Sequence, residues 1–182
     1  MKDKKLAVKN VKHSDFASHE TLCFQCTVYF DGVKVATADN EGRGGQTFVH
    51  FDDRETEEKV RAWEKEQPKI KTDFPAAVTR DGETQTEEFL SYPFSLESAI
   101  DPLVGDFLTE RDLKRKLKTK LLITDDTCDS GQFYTWTLKV FGQRTIEDIA
   151  NAVVAGNTFK NPVVLNMLPF EEALKKWGNN DA

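Results

Sequence analysis

Thr21-Leu22-Cys23-Phe24-Gln25-Cys26-Thr27-Val28-Tyr29-Phe30-Asp31-Gly32-Val33-Lys34-Val35 is the stretch that decides the fold. Leu22, Phe24, Cys26, Val28 and Phe30 alternate with Cys23, Gln25, Thr27 and Tyr29, the period of two expected of a strand with one face in a core. Asp31-Gly32 suits a two-residue type I′ turn, whose central residues both need positive φ. The chain should therefore return through a hairpin into a strand over Val33 to Asp39, with Val33 and Val35 sharing a face. Lys5 to His13 alternates more weakly and reads as an edge strand. After the loop Asn40-Glu41-Gly42-Arg43-Gly44-Gly45, Gln46 to Phe51 reads as a further strand.

Downstream the period changes to that of helices. Asp52 and Asp53 can cap a helix to about Gln67, with a thin stripe of Thr56, Val60 and Trp63. Residues 68–95 contain three prolines and Asp81-Gly82 and read as an irregular segment or a long loop. Asp101-Pro102 reads as a helix start, with Leu103, Val104, Phe107 and Leu108 inward. Thr109 and Asp112 form a capping-box pattern that predicts a second, restarted helix with Leu113 and Leu117 inward. Leu121 to Thr124 and Gln132 to Phe141 read as a second hairpin, with Tyr134, Trp136, Leu138 and Val140 on one face. Thr145 and Pro169 open two last helices, and Gly178 closes the second. The expected architecture is a single α+β domain over residues 1–182, an antiparallel β-sheet of hairpins covered by three to four helices.

The chain has 182 residues, 38% hydrophobic and 31% charged, which is enough for one core and too apolar for a disordered chain. It contains no apolar run long enough to cross a membrane. The start MKDKKLAVKN has no apolar segment behind its basic residues, so no signal peptide is expected. Three cysteines, an odd number, suggest reduced thiols and a cytoplasmic setting. The net charge of −6 is uneven. Residues 51–110 carry 16 acidic against 7 basic groups, whereas residues 111–120 carry 6 basic against 1 acidic. An acidic block that holds Glu55, Glu57 and Glu58 argues against nucleic acid as a direct target and suits a basic protein partner.

Motifs that carry chemistry are few. Cys23 and Cys26 form a CxxC, but residues three apart on a strand point to opposite faces, so structural thiols are expected and no metal. His13, His19 and His50 stand in no ligand pattern and read as surface or hydrogen-bonded residues. Residues 125–131 approach a calcium loop but have Ser130 and Trp136 where the sixth-position glycine and twelfth-position glutamate belong, so a plain hairpin loop is expected. The stretch from Arg111 to Lys120 reads as the solvated face of an amphipathic helix. The Gly42-Arg43-Gly44-Gly45 loop is the most unusual feature. Its amides could cradle an anion, with Arg43, Asn40 and His50 in support. The competing reading is a tight connection that needs positive φ.

Ser18 to Gly45, with its ETLCF strand start, DG hairpin and N-E-G-R-G-G loop, resembles a recurring pattern in small bacteriophage and prophage proteins of no established activity. The likeness extends to residues 111–123 and to V-L-N-M-L-P-F-E-E-A-L, Val164 to Leu174. It implies a protein that acts on host machinery, immune systems included, within the host cytoplasm. The expected function is accordingly a non-catalytic accessory protein, without a cofactor, that inhibits or sequesters a host factor. It would do so by capturing a small anionic ligand at the glycine loop or by blocking a protein through its acidic surface. An enzyme acting on a nucleotide or phosphorylated substrate, and a virion or structural component, are the alternatives.

Overall fold

The computed structural model describes residues 5–75, 89–129 and 131–178. The fold is α+β: among the described residues there are a four-stranded antiparallel sheet, two smaller sheets and four helices. The chain divides into two compact units, Met1–Gly105 and Asp106–Ala182.

The first unit is built on β1 (Leu6–His13), β2 (Cys23–Phe30), β3 (Val33–Glu41) and β4 (Phe48–Phe51), adjacent in that order, so β1 is an edge strand as expected. Phe24, Cys26, Val28 and Phe30 are buried, and Cys26 and Cys23 lie on opposite faces. Asp31 (φ 50°) and Gly32 (φ 80°) form the turn between β2 and β3. Two expectations need correction. Leu22 precedes the strand and is 37% exposed rather than in the core. Val33 and Val35 do not share a face, because Val28 pairs with Ala36 and Tyr29 with Lys34, which makes Val35 a bulge. The extra residue shifts the alternation by one. Val35, Ala36, Ala38 and Asn40 turn inward, and Val33 is 65% exposed.

The helix α1 (Arg54–Lys65) is capped by Asp53, whose carboxylate accepts from the amide and hydroxyl of Thr56. Val60 is fully buried, and Trp63 sets its ring edge-on to Phe30 at 5.2 Å and to Phe94 at 5.5 Å. The irregular segment expected over 68–95 is partly regular: β5 (Ile70–Pro75) pairs antiparallel with β6 (Phe89–Tyr92). Asp81-Gly82 lies outside the described residues.

No helix begins at Asp101 and none restarts at Thr109. A single helix, α2 (Leu96–Thr119), runs through both sites with Pro102 inside it. Its start is fixed by Ser95, whose hydroxyl accepts from the Ser98 amide while the Ser98 hydroxyl lies against the Ser95 amide and carbonyl. This reciprocal cap outcompetes the Asp-Pro signal. Asp101 instead accepts from the Thr47 hydroxyl. Leu96, Ile100 and Val104, each four residues on from the last, are fully buried. Two hydrogen bonds from Arg61 to Glu97 fasten α1 to this part of α2. Residues of α2 beyond Gly105 belong to the second unit.

In the second unit β7 (Lys120–Thr124) lies between β8 (Tyr134–Thr137) and the short β9 (Val163–Val164), with α3 (Ile146–Ala155) before β9 and α4 (Phe170–Gly178) after it. Leu122 packs with Leu113, Leu165, Ala173 and Trp177; Leu121 and Ile123 pack with Ile149, Ala150 and Val153. The central strand is therefore apolar on both faces, which explains its unalternating Leu-Leu-Ile. The strand expected to reach Phe141 ends at Thr137 in a 3-10 turn; Leu138 still packs with Trp136 against the Ile149 cluster, but Val140 does not share that face and is exposed. Asn166 accepts from the Leu122 amide and donates to the carbonyls of Leu117 and Lys120. It ties the end of α2 to β7 and gives the V-L-N-M-L-P stretch a structural role.

Candidate functional site

The candidate site is the end of the first sheet where β1 finishes, β2 begins, β3 finishes and β4 begins. Its centre is Asn40, only 4% exposed. The Asn40 Oδ1 accepts from the Thr21 hydroxyl (2.8 Å) and the Gly42 amide (2.9 Å). Its Nδ2 donates to the Gly45 carbonyl (3.0 Å) and to Thr47 Oγ1 (3.2 Å). Both oxygen lone pairs and both amide hydrogens are thus used inside the protein.

Around this hub the glycines have distinct roles. Gly42 (φ 81°) is buried, and its carbonyl accepts from the amides of His19 and Glu20. A Cβ there would stand 2.2 Å from the Ala17 carbonyl oxygen. Gly44 (φ 82°) faces the Glu20 side chain, and its amide reaches Thr21 Oγ1 at 3.4 Å. Gly45 has open space about it. Arg43 is exposed at the loop's tip. His50 is exposed too and pairs with Asp39 at 3.0 Å, opposite Thr37 in the register of β3 and β4. Of the residues singled out in sequence, Asn40, Gly42, Gly44 and Gly45 come together around one hub. Arg43 points outward and His50 is engaged elsewhere on the sheet.

A further segment joins the same hub. Residues 14–22 carry one turn of 3-10 helix, Asp15–Ala17, and dock on the glycine loop through Gly42. Ser18 Oγ donates to the Ser14 carbonyl and accepts from the Cys23 amide, both at 2.8 Å, and the Ser14 amide reaches the Cys23 carbonyl at 3.0 Å. Thus fastened, the segment projects Phe16, which is 94% exposed. Phe48, at the start of β4 opposite Asp39, is 51% exposed at the same end of the sheet. Phe16 stands outside any periodic run, so the sequence carried no signal for its exposure.

Elsewhere, Glu55, Glu57 and Glu58 are exposed on α1, with Glu58 bound to Arg54 Nε at 2.9 Å. Burial pushes the Cys26 thiol up to about 11, a poor nucleophile and a poor ligand. Among the described residues no three His, Cys, Asp or Glu side chains gather as a metal site. Asp125 organises the turn that follows β7: it accepts from the Thr127 hydroxyl and amide and from the Lys160 amide, and the Thr127 hydroxyl chiefly lowers its carboxyl to about 2. No helix among the described residues is long and apolar enough to cross a membrane. No protein-family model, curated protein or solved structure matches the chain.

Proposed function

We propose that this chain is a non-catalytic accessory protein, of the kind carried by bacteriophages and prophages, that binds a host protein and inhibits or sequesters it. The glycine-loop end of the first sheet is its binding surface. The observation that carries this reading is Phe16: a nearly fully exposed aromatic ring on a segment fixed by Ser18 and Gly42. A large ring in water contributes nothing to the fold, yet it supplies much of the energy of an interface once a partner covers it. Fixing its backbone beforehand lowers the entropy lost on binding. Phe48 adds apolar area, and Arg43 adds a charge that can reach a carboxylate on the partner.

Capture of a small anion at the loop has weaker support. The Gly42 amide and all of Asn40 are occupied by the protein itself, which leaves Arg43 as the loop's cationic group beside the exposed carboxylate of Glu41. The acidic side chains Glu55, Glu57 and Glu58 on α1 remain a second surface for steering a basic partner.

The test is comparative. Tagged wild-type protein and the variants Phe16→Ala, Arg43→Ala and Glu55→Lys/Glu57→Lys/Glu58→Lys are recovered from host cells. Retained proteins and small molecules are then quantified by mass spectrometry. Phe16→Ala should melt as the wild type does, because an exposed substitution changes stability by no more than about 0.5 kcal/mol. It should also lose the specific protein partner. Retention of that partner by Phe16→Ala would refute the surface. A small anion retained by the wild type and lost in Arg43→Ala would replace the reading with ligand capture.

A further inference from the structure

The second unit carries a surface of a different kind. Because α2 is one continuous helix, Phe107 falls on the same stripe as Arg111, Lys114, Arg115 and Lys118, at intervals of three and four residues. Together with Glu110 and Thr119 these side chains line a groove of about 460 Å³. Arg111, Lys114, Arg115 and Lys118 are all exposed. Leu113 and Leu117 of the same helix face the core with Trp177, and Lys116 lies over the Trp177 ring at 4.4 Å. Among the described residues the stripe is therefore the exposed side of the helix.

We infer that this groove binds an acidic amphipathic helix of another protein, with the partner's apolar side chains on the floor and its carboxylates on the basic rim. The floor is the Phe107 ring and the methylene stems of the lysines and arginines, and long cationic side chains present apolar stems beneath their charged ends. From Phe107 to Lys118 the stripe spans about 16 Å at 1.5 Å per residue, about three turns of a partner helix. The charge is complementary: the ten residues from Arg111 carry six basic groups and one acidic in a chain whose net charge is −6. An acidic partner would be steered to this stripe and repelled by much of the remaining sequence.

Nucleic acid fits the groove less well. The Arg111 guanidinium already lies over the Phe107 ring, 6.0 Å from its centroid, where a base would have to stack. Lys114 is paired with Glu110 and Arg115 with Asp112, which dilutes the charge offered to a phosphate chain. An apolar floor with partly neutralised rims selects a segment that brings apolar contacts along with its carboxylates.

The experiment uses the full chain and three labelled probes, with binding read by fluorescence anisotropy. The first is a synthetic helix of about 15 residues with leucine and glutamate on one face. The second has the same composition with that pattern scrambled, and the third is an oligothymidylate of similar length. The patterned helix should bind at least about tenfold more tightly than either other probe, and more weakly as salt rises. Lys118→Glu, alone and with Arg111→Glu, should weaken it by roughly tenfold or more at an unchanged melting temperature. Lys12→Glu, the same charge change on an exposed residue of β1, should leave it within about twofold. Equal binding of the scrambled helix would reduce the stripe to diffuse charge, and equal or tighter binding of the oligothymidylate would make it a phosphate site. Unchanged affinity in the groove variants, or no binding of the patterned helix up to about 1 mM, would likewise overturn the inference.

Discussion

Asn40→Ala tests whether the glycine loop is held from within. The substitution removes four hydrogen bonds at once, two accepted and two donated, from a side chain that water hardly reaches. Each such bond contributes about 1 kcal/mol net, and a buried partner left unsatisfied costs about 1–3 kcal/mol. Not all four partners are stranded. Thr21 sits in a partly buried setting and can turn to solvent, and the Gly45 carbonyl belongs to an exposed residue. The Gly42 amide and Thr47 Oγ1 belong to buried residues. Thr47 gives its proton to Asp101, so toward Asn40 its oxygen can only accept, and the Asn40 amide is the donor.

Two bonds lost to solvent, at about 1 kcal/mol each, and two buried groups stranded, at about 1–3 kcal/mol each, give a destabilisation of about 4–8 kcal/mol. In urea, with a slope of about 2 kcal/mol per molar, the midpoint of the first unit should fall by about 2–4 M. Trp63 fluorescence follows that unit in a background where Trp136 and Trp177 are replaced by phenylalanine. Amide exchange at Gly42 is the local readout, since its N–H loses its acceptor. A midpoint shift below about 0.5 M, with Gly42 exchange unchanged, would refute the hub. Asn40→Asp should not rescue: its second oxygen would face the Gly45 carbonyl and a threonine oxygen that need a donor.

The two glycines of the loop should separate cleanly in melting experiments. Gly42→Ala should cost well over 1 kcal/mol, because its φ of 81° is strained for alanine and its Cβ would meet the Ala17 carbonyl oxygen at 2.2 Å; Gly45→Ala, in open space, should change stability by less than about 0.5 kcal/mol. Asp125 predicts the acid limb of the second unit. Its folded carboxyl titrates at about 2, below the unfolded value of about 3.9, so its contribution is complete above that value and lost as pH falls through the folded one. Stability measured from pH 5 down to pH 2 should decline more steeply in the wild type than in Asp125→Asn, and parallel profiles would remove Asp125 as a cause.

Where one residue's position followed from its neighbours on the same element, the sequence was a sufficient guide. Phe24, Cys26, Val28 and Phe30 all turn inward, and Asp31-Gly32 does take two positive φ values. Thr145 caps α3, accepting from the Asp148 amide. Alternation, turn chemistry and capping are local, so no knowledge of the remaining chain is needed to read them. The glycine loop stood between two readings for the opposite reason. Its spacing announced special backbone, but whether the amides face a ligand or the protein depends on Thr21, Thr47 and the 14–22 segment, which lie outside it.

Two of the discrepancies share one cause, a local signal overruled by a competitor elsewhere. At Val35 the competitor is the partner strand. The pattern Val33-Lys34-Val35 is a sound alternation, but Val28 must meet Ala36 and Phe30 must meet Val33, and the count closes only if one residue bulges. At Asp101-Pro102 the competitor is Ser95 with Ser98, which starts the helix six residues earlier and frees Asp101 to bind Thr47. Proline inside a helix forgoes one hydrogen bond, a cost of about 3 kcal/mol in an isolated helix. Burying Leu96 and Ile100 in full, at roughly 1.5–3 kcal/mol each, offsets it. Continuity past Thr109 decides the surface chemistry. Two helices broken there would have set Phe107 apart from Arg111 to Lys118, whereas the continuous helix aligns them in one groove.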